Sequence, residues 1–441
     1  MTKRLAISLA AVGLLGSINT YAADDLSSMF SKGKTSGQVR MFSIDRKYQG
    51  SAGNTLHRNA TALGGHLKFE TADYEGLSLG AAFYTTNRIA SSPDIDPSLF
   101  GKNSDGYSIL GEAYLQYKYS NTTFKGGRQK LDTPLAGSDD ARMLPNLFEA
   151  YVVTNTDIPD TTLLVAHVTK FAQGTFGRVY TSGILSATSG YSYTDAKEQV
   201  GDFVNMGDYA IGRTTDGVTV GSATYAPNKN VKVQVWDYYA YDILNAVYGQ
   251  VDLSWNCLLT DKVHPFLSGQ FIKENEVGDK FAGNLDGMYW GAKFGAKVEN
   301  FTAYVAYSET SANSAAEAAT GLANAIITPW GGMPAYTQGM VTRHQFLAGT
   351  KASKVAASYN FKDMGANVSA TVYYTSFDMD KNSGYGIERT TTEPGFDIIY
   401  NPEVVKNLQL RLRGNFPRKY AESASGDTGW DEYRLIANYN F

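Results

Sequence analysis

The last residues of the chain, 431–441, alternate between apolar and polar side chains. Five apolar residues share one face: Tyr433, Leu435, Ala437, Tyr439 and Phe441. Arg434, Asn438 and Asn440 lie on the other face, where Ile436 is the exception. A period of two indicates a β-strand with one wet face. Because a terminal strand of this kind can pair with the first strand, the pattern predicts a closed barrel, apolar outside and polar inside. The alternative is the edge strand of a soluble β-sandwich.

The same alternation recurs along the chain. The apolar faces of seven further segments carry no charge, and they are Leu77 to Phe83, Ala113 to Tyr119, Val231 to Val235, Val247 to Trp255, Phe301 to Tyr307, Val368 to Tyr374 and Leu408 to Leu412. A lysine or arginine facing lipid at mid-bilayer costs up to roughly 2–4 kcal/mol. The absence of charge therefore favours a membrane barrel over a soluble sandwich.

Short turns and long connections alternate between these segments. Eight short turns contain the Gly, Pro, Asn and Asp residues typical of tight hairpins, and they lie at 73–76, 120–121, 157–160, 227–230, 257–263, 299–300, 361–365 and 402–407. Eight hairpins and one free strand at each end predict about 18 strands. We therefore predict an all-β fold, a transmembrane antiparallel barrel with short periplasmic turns and long extracellular loops. The stretch 191–225 leaves its strand boundaries open.

The N-terminus has the features of a secretory signal peptide. Lys3 and Arg4 precede an apolar run that ends in Ala22 and Ala23. We assign residues 1–22 to the signal and 23–441 to the barrel. Removal of the two basic residues changes the formal net charge from −4 to −6. The later sequence contains no apolar run of the roughly 20 residues needed by a spanning helix, so an exported membrane protein of this kind must span as a closed barrel.

Charged residues opposite the apolar faces are expected to point into the barrel. The basic ones are Arg40, Lys68, Lys118, Lys232, Lys293, Lys297, Arg411, Arg413 and Arg434, and the acidic ones are Glu70, Glu112, Asp252 and Asp397. A row of fixed cations in a narrow pore attracts anions. Arg411 and Arg413, two residues apart, are suited to forked contacts with a carboxylate. The alternative is that these cations only pair with neighbouring wall carboxylates.

Two long connections are candidates for a constriction. The third loop, about 132–146, combines Asp139 and Asp140 with Arg142 and two prolines. It either folds into the barrel or stays outside as a solvated loop. The seventh loop, about 310–343, is the longest connection and contains an Ala-rich stretch followed by the segment PWGGMP at 329–334. It either folds inward or remains mobile.

Several segments resemble the OprD-like outer-membrane porins, the carboxylate-channel group of 18-stranded barrels. These are GQVRMF at 37–42, Asp45 with Arg46, YKYSN at 117–121, ARMLP at 141–145, NLQLRLR at 407–413 and EYRLI at 432–436. The resemblance implies a channel, monomeric or weakly trimeric, that passes small carboxylates or amino acids. It also implies an arginine ladder leading past a constriction made by the third and seventh loops. On this basis Arg40, Arg142, Arg411 and Arg413 are ladder members, and Arg128 is a weaker candidate. The seventh loop, however, has only Glu309 and Glu317 and lacks the family's usual acidic partner.

The sequence lacks the signatures of other functions. Gly76, Ser78 and Gly80 fit a nucleophile-elbow pattern, but they open an alternating strand where the motif needs a turn leading into a helix. The five histidines have no metal-ligand spacing. We therefore predict no enzyme activity, cofactor, metal or nucleic-acid partner.

The predicted function is passive diffusion of small anionic or zwitterionic solutes across a Gram-negative outer membrane. The predicted path residues are Arg40, Arg142, Arg411, Arg413, Arg434, Lys118, Lys293, Asp139 and Asp140. Expected partners are membrane lipid, small solutes and the barrel-assembly machinery, which would recognise the strand that ends at Phe441. The alternative is a plugged barrel that acts as an adhesin.

Overall fold

The alternating segments form the strands of one antiparallel sheet that closes on itself. The structure is a computed structural model and describes residues 23–49, 56–176, 201–320, 323–332, 334–383, 388–423 and 426–441. The predicted signal peptide and the first part of the 191–225 stretch lie outside the described residues.

Within these ranges the strands are β1 (Lys34–Gln49), β2 (His57–Glu70), β3 (Leu77–Ser91), β4 (Tyr107–Tyr119), β5 (Thr122–Gln129), β6 (Leu147–Asn155), β7 (Thr161–Ala172), β8 (Val204–Asn205), β9 (Val218–Asn228), β10 (Val231–Ala240), β11 (Leu244–Ser254), β12 (Val263–Glu276), β13 (Met288–Val298), β14 (Phe301–Thr310), β15 (Lys351–Asn360), β16 (Val368–Met379), β17 (Arg389–Tyr400), β18 (Leu408–Asn415), β19 (Ala421–Ser423) and β20 (Gly426–Asn440). Three short helices accompany them, α1 (Leu26–Ser31), α2 (Met206–Ile211) and α3 (Ala315–Thr320). Short 3-10 segments lie at Pro97–Leu99, Lys102–Ser104, His344–Phe346 and Phe361–Met364. No helix in the described part of the chain is long and apolar enough to cross a membrane.

The barrel closes where the first and last strands meet. β1 pairs with β20 from Gln38 opposite Asn440 to Gln49 opposite Gly429. Gly37 and Phe441 exchange two backbone hydrogen bonds of 3.0 and 3.1 Å beyond the last strand pair. Two short strands are additions to the barrel: the two-residue β8 pairs with β7, and the three-residue β19 pairs with β20. The wall itself continues past them, because β7 pairs directly with β9 and β18 pairs directly with β20. The remaining strands form the predicted 18-stranded antiparallel barrel.

The two faces of each strand differ as the alternation predicted. On β20 the side chains of Tyr433, Leu435 and Tyr439 are exposed on the outer face, whereas Arg434 and Ile436 are buried inside. The inner face carries polar and charged residues because water and the inward-folded loops solvate them, and the outer face meets lipid. The prediction of an apolar exterior is therefore confirmed.

The two ends of the barrel differ in the length of their connections. At one end short turns join the strands, as at Gly76 between β2 and β3, where φ is +87° and an added Cβ would lie 2.2 Å from the Lys118 carbonyl oxygen. Only glycine fits this combination of positive φ and close approach. At the other end, the loop after β5 covers 130–146 and the loop after β14 covers 311–350. Both loops contribute apolar side chains to the core inside the barrel.

Candidate functional site

The loop at 130–146 folds into the barrel, where its own polar side chains hold its shape. Asp132 accepts a hydrogen bond from the Ser138 backbone N–H at 3.2 Å. Asn146 donates from its side-chain amide to the Gly137 carbonyl at 2.9 Å and from its backbone N–H to the Ser138 carbonyl at 2.7 Å. Leu135 packs in the interior core. The solvated outer position considered from the sequence is therefore not the one this loop adopts.

The loop at 311–350 also folds inward, because buried wall carboxylates bind its backbone. Glu393 of β17 accepts from the backbone N–H groups of Met340 at 2.5 Å and Thr342 at 2.8 Å. Glu274 of β12 accepts from the Ile327 N–H at 2.8 Å. These acids supply anchoring that the loop's own sequence lacks, since Glu309 lies on β14 and Glu317 accepts from the nearby Ser314 N–H.

The two loops meet in the middle of the barrel. The Gly137 N–H donates to the Trp330 carbonyl at 3.2 Å, and the Trp330 indole N–H donates to the Met206 carbonyl at 3.1 Å. Asp139 of the third loop lies against Gly331 and Gly332 of the seventh. Burial raises the pKa of the Asp139 carboxyl to about 6, although Arg343 and the Gly332 N–H oppose the shift. The two inward loops thus contact each other through Gly137 with Trp330 and through Asp139 with Gly331.

Arg40 fastens the third loop to the wall. Its guanidinium on β1 donates to Asp140 at 2.5 Å and to the Arg142 carbonyl at 2.6 Å. Burial would raise the pKa of the Asp140 carboxyl, but the Arg40 guanidinium holds it below its usual range. Asp140 of the third loop is thus held as an anion by Arg40, a predicted ladder residue.

Arg142 and Arg434 belong to a buried charge network around Glu432. Arg142 donates to Glu432 Oε1 at 2.9 Å, and Arg434 Nε lies 2.8 Å from the same oxygen. Arg46 donates to Glu432 Oε2 at 2.9 Å and lies 2.9 Å from Asp96. Three guanidinium groups therefore share two carboxylates. Because Arg142 and Arg434 are only 0% and 1% exposed, these two predicted path residues are shielded from water.

Arg411 and Arg413 form a second, more accessible cationic group. Both project from β18 toward Asp397 of β17, with Arg411 Nε donating at 2.7 Å and Arg413 Nε lying 3.3 Å away. Their side chains remain 29% and 14% exposed. Two cations share one carboxylate, so this part of the wall keeps a positive charge facing the lumen.

Lys293 and Lys118 lie on other parts of the wall. The Lys293 ammonium is 4.5 Å from the ring centre of Tyr336 and under 6 Å from those of Phe266 and Tyr304, at 5.7 and 5.9 Å. Lys118 lies near the short-turn end of β4, opposite Thr123 of β5. Neither lysine makes an ion pair with a residue that the structure describes. The predicted path residues are thus brought into one lumen but not into one cluster.

Several functional contacts escaped the sequence reasoning. Glu432 shares the inner face of β20 with Arg434, so alternation alone could have placed it in the lumen. Asp96, Glu274 and Glu393 act through loop contacts that no periodic pattern encodes.

Arg128, the weaker ladder candidate, lies on the outer face, where its Nε is 3.7 Å from Glu149. This position agrees with the alternation from Phe124 and removes Arg128 from the pore wall.

The family of the chain is shown by comparison with known proteins. The sequence profile described as "outer membrane porin, OprD family" matches residues 29–441. The chain belongs to the OprD family of outer membrane porins. It is therefore a substrate-selective channel of the Gram-negative outer membrane. Among curated proteins, no sequence matches this porin.

Solved structures share the fold of this porin at low sequence identity. OccK9 (OpdG) of Pseudomonas aeruginosa is 19% identical with a TM-score of 0.76, and the match covers 94% of this chain and 99% of that one. OpdK of the same organism, in a crystal structure with vanillate, is 16% identical with a TM-score of 0.74 and the same coverage. OccK2 (OpdF) of P. aeruginosa, in complex with glucuronate, has the same four values. Since these identities are low, the likeness describes the fold of the porin and leaves its solute to be determined.

Proposed function

We propose that this porin passes small solutes that carry a carboxylate, either anionic or zwitterionic, down their concentration gradient. The proposal is supported most strongly by Arg411 and Arg413, whose guanidinium groups share Asp397 and stay partly exposed. A positive wall in a water-filled channel with low-dielectric sides attracts anions and raises their local concentration. The forked guanidinium geometry suits a carboxylate group.

The solute's route combines the accessible cations with the constriction between the loops. In this proposal Arg411, Arg413, Lys293 and Lys118 steer the solute, and Asp139 and Asp140 screen it at the narrowest point. Arg40 and Arg142 hold the third loop in place, because Arg40 donates to the Arg142 carbonyl and Arg142 donates to Glu432 of the wall. Arg434 contacts the same Glu432 and the Met340 sulfur of the seventh loop. OpdK and OccK2, whose structures contain the carboxylates vanillate and glucuronate, support a carboxylate class of solute.

The reversal potential of the refolded porin in a planar bilayer under a potassium chloride gradient tests this proposal. We expect step conductance with a preference for chloride, and added benzoate or glucuronate should reduce the chloride current. The double variant Arg411→Glu/Arg413→Glu should lower the chloride-to-potassium permeability ratio by about tenfold, because two charges of the wall reverse. Lys351→Glu, on the outer face of β15, is the matched control. Unchanged selectivity in the double variant would contradict the assignment of these arginines.

The alternative considered from the sequence, a plugged barrel that acts as an adhesin, does not agree with the membership of this chain in a porin family. The contacts between the two inward loops and the burial of Arg142 and Glu432 restrict the lumen. We expect the same bilayer recording to show a steady current, which a plugged barrel would not carry.

We also infer how the porin is assembled. β20 ends the chain with Tyr439 and Phe441 exposed on the outer face, which suits recognition of this strand by the barrel-assembly machinery. Deletion of Phe441 should lower the amount of heat-modifiable porin in the outer membrane, whereas Phe441→Tyr should not. We infer a monomer or weak trimer, which cross-linking in membranes would distinguish.

We infer no enzymatic activity for this porin. Ser78, the serine of the elbow-like motif, lies in the extended strand β3 and is not followed by a helix. Hydrolysis of ester or peptide substrates that disappears in Ser78→Ala would contradict this inference.

A further inference from the structure

The connection between β11 and β12 differs from the neighbouring short turns. It covers residues 255–262, whereas β9 and β10 are joined through 229–230 and β13 and β14 through 299–300. Two backbone hydrogen bonds extend the hairpin beyond its strands, from Trp255 N–H to the Pro265 carbonyl at 3.1 Å and from Cys257 N–H to the Val263 carbonyl at 2.9 Å. The β11–β12 hairpin therefore continues as an ordered two-stranded ribbon that extends beyond the neighbouring turn between β9 and β10.

The extended ribbon keeps the two faces of the barrel wall. Leu253 lies opposite Leu267 on the outer face, so the pairs Trp255 with Pro265 and Cys257 with Val263 face outward as well. On the inner face the His264 ring nitrogen Nδ1 lies 3.0 Å from the Asn256 side-chain oxygen. The ribbon is thus apolar toward lipid and polar toward the pore.

The tip of the ribbon combines two exposed leucines with Thr260, Asp261 and Lys262, and the Lys262 ammonium lies 3.1 Å from Glu299 of the turn between β13 and β14. Leu258 is 99% exposed and Leu259 is 93% exposed, and Trp255 above them is also exposed. The adjacent turn toward β10 is instead formed by Lys229 and Asn230. Two neighbouring leucines held in water at the end of a hairpin are unfavourable, since burying each would contribute about 1.5–3 kcal/mol. A surface that covers them would remove this cost.

Counting residues along the strands identifies that surface. Lys273 of β12 pairs with Asp286 and ends the apolar outer face at the loop end of the barrel. A tilted strand needs roughly 9–11 residues to cross the hydrocarbon core, and this distance from Lys273 reaches the region of Val263. Asp237 on the outer face of β10 pairs with Val247 of β11, which in turn pairs with Lys273 of β12, so Asp237 and Lys273 lie at the same height on the barrel. Only about 8 residues separate Asp237 from the turn at Lys229, fewer than a strand needs to cross the hydrocarbon core. The extended hairpin therefore completes an apolar belt that β10 leaves short.

We propose that the β11–β12 hairpin tip, residues 255–262, is an interfacial anchor that inserts Trp255, Leu258 and Leu259 between the headgroups and acyl chains of the periplasmic leaflet. The outer face of the tip is continuous with the lipid-facing surface of the barrel, and its aromatic and leucine side chains suit this boundary. The anchor would fix the depth of the porin in the membrane on this side. It acts independently of solute selection.

The single cysteine of the chain, Cys257, offers a reporter within the tip. The full-length porin, labelled there with bimane and refolded into phosphatidylcholine vesicles, would be exposed to iodide in the water and to lipids that carry a nitroxide high on the acyl chain. The matched control carries the label at Lys229→Cys in a Cys257→Ser background. We expect the lipid nitroxide to quench the Cys257 label roughly twofold more than the control, and iodide to quench it roughly twofold less.

A second variant tests the leucines themselves. Leu258→Asn/Leu259→Asn, checked for folding by heat-modifiable migration, should raise iodide quenching of the Cys257 label toward that of the control. Iodide quenching of the unmodified tip as strong as at position 229 would overturn the proposal and favour a periplasmic protein as the partner. If the lipid nitroxide quenched the double variant as strongly as the unmodified tip, Leu258 and Leu259 would not contribute to insertion, and this part of the proposal would be wrong.

Discussion

Two groups of arginines inside the barrel, close to each other, have different surroundings. The group around Glu432 contains Arg46, Arg142 and Arg434, is buried, and is held by carboxylates from a wall strand and a loop. The pair Arg411 and Arg413 shares one carboxylate, Asp397, and remains partly exposed. The same residue type inside the barrel is thus locked in buried ion pairs in one group and partly exposed in the other, and we propose the exposed pair as the contact for the solute.

The largest expected effect is the loss of the central carboxylate of the buried group. Glu432→Gln leaves three guanidinium groups around a neutral side chain, and removal of one partner from a buried ion pair costs about 3–5 kcal/mol. The free energy of unfolding in urea, measured on the porin in lipid vesicles, should fall by this amount. Asp397→Asn is the matched variant, for which we expect a smaller loss, because Arg411 and Arg413 keep 29% and 14% of their side chains exposed. Equal losses would remove the distinction between the groups.

A smaller effect should separate the groups in transport. Arg411→Gln should lower the chloride-to-potassium permeability ratio by about threefold, since one lumen charge is lost, and should leave the urea unfolding curve nearly unchanged. Arg142→Gln should lower the stability in urea and leave the permeability ratio nearly unchanged, because Arg142 contacts Glu432 and is shielded from the pore. Reversal potentials and unfolding curves of both variants provide the measurement. A stability loss in Arg411→Gln as large as that in Arg142→Gln would contradict the comparison.

The smallest expected effect concerns pH at the contact between the loops. Burial raises the pKa of Asp139 to about 6, so this carboxyl gains a proton as the pH falls from 7 to 5. Loss of one negative charge at the constriction should increase the preference for chloride on acidification. Asp140 stays ionised in this range because Arg40 lowers its pKa. Asp139→Asn should therefore show the low-pH selectivity at every pH, and a variant that retains the full pH response would assign it to another group.

Much of the fold was predictable from local pattern. The alternation around Leu77, Val231 and Tyr433 identified the strands, and the turn residues identified the short connections and the strand number. Such patterns are informative because lipid on one side and water on the other impose a strict period of two on every strand. The same alternation correctly turned Arg128 away from the lumen.

The environment of each site residue was decided by tertiary structure. The alternation placed Arg40, Arg411, Arg413 and Arg434 on one pore surface, because it determines which way a strand residue points. Arg142, in the third loop, was assigned by the family resemblance alone. Whether a guanidinium is then exposed or buried depends on long-range partners such as Asp96 with Arg46, or Glu393 with the backbone of the seventh loop. These partners lie far apart in the chain and follow no local period, since they come together only when the loops fold into the closed barrel.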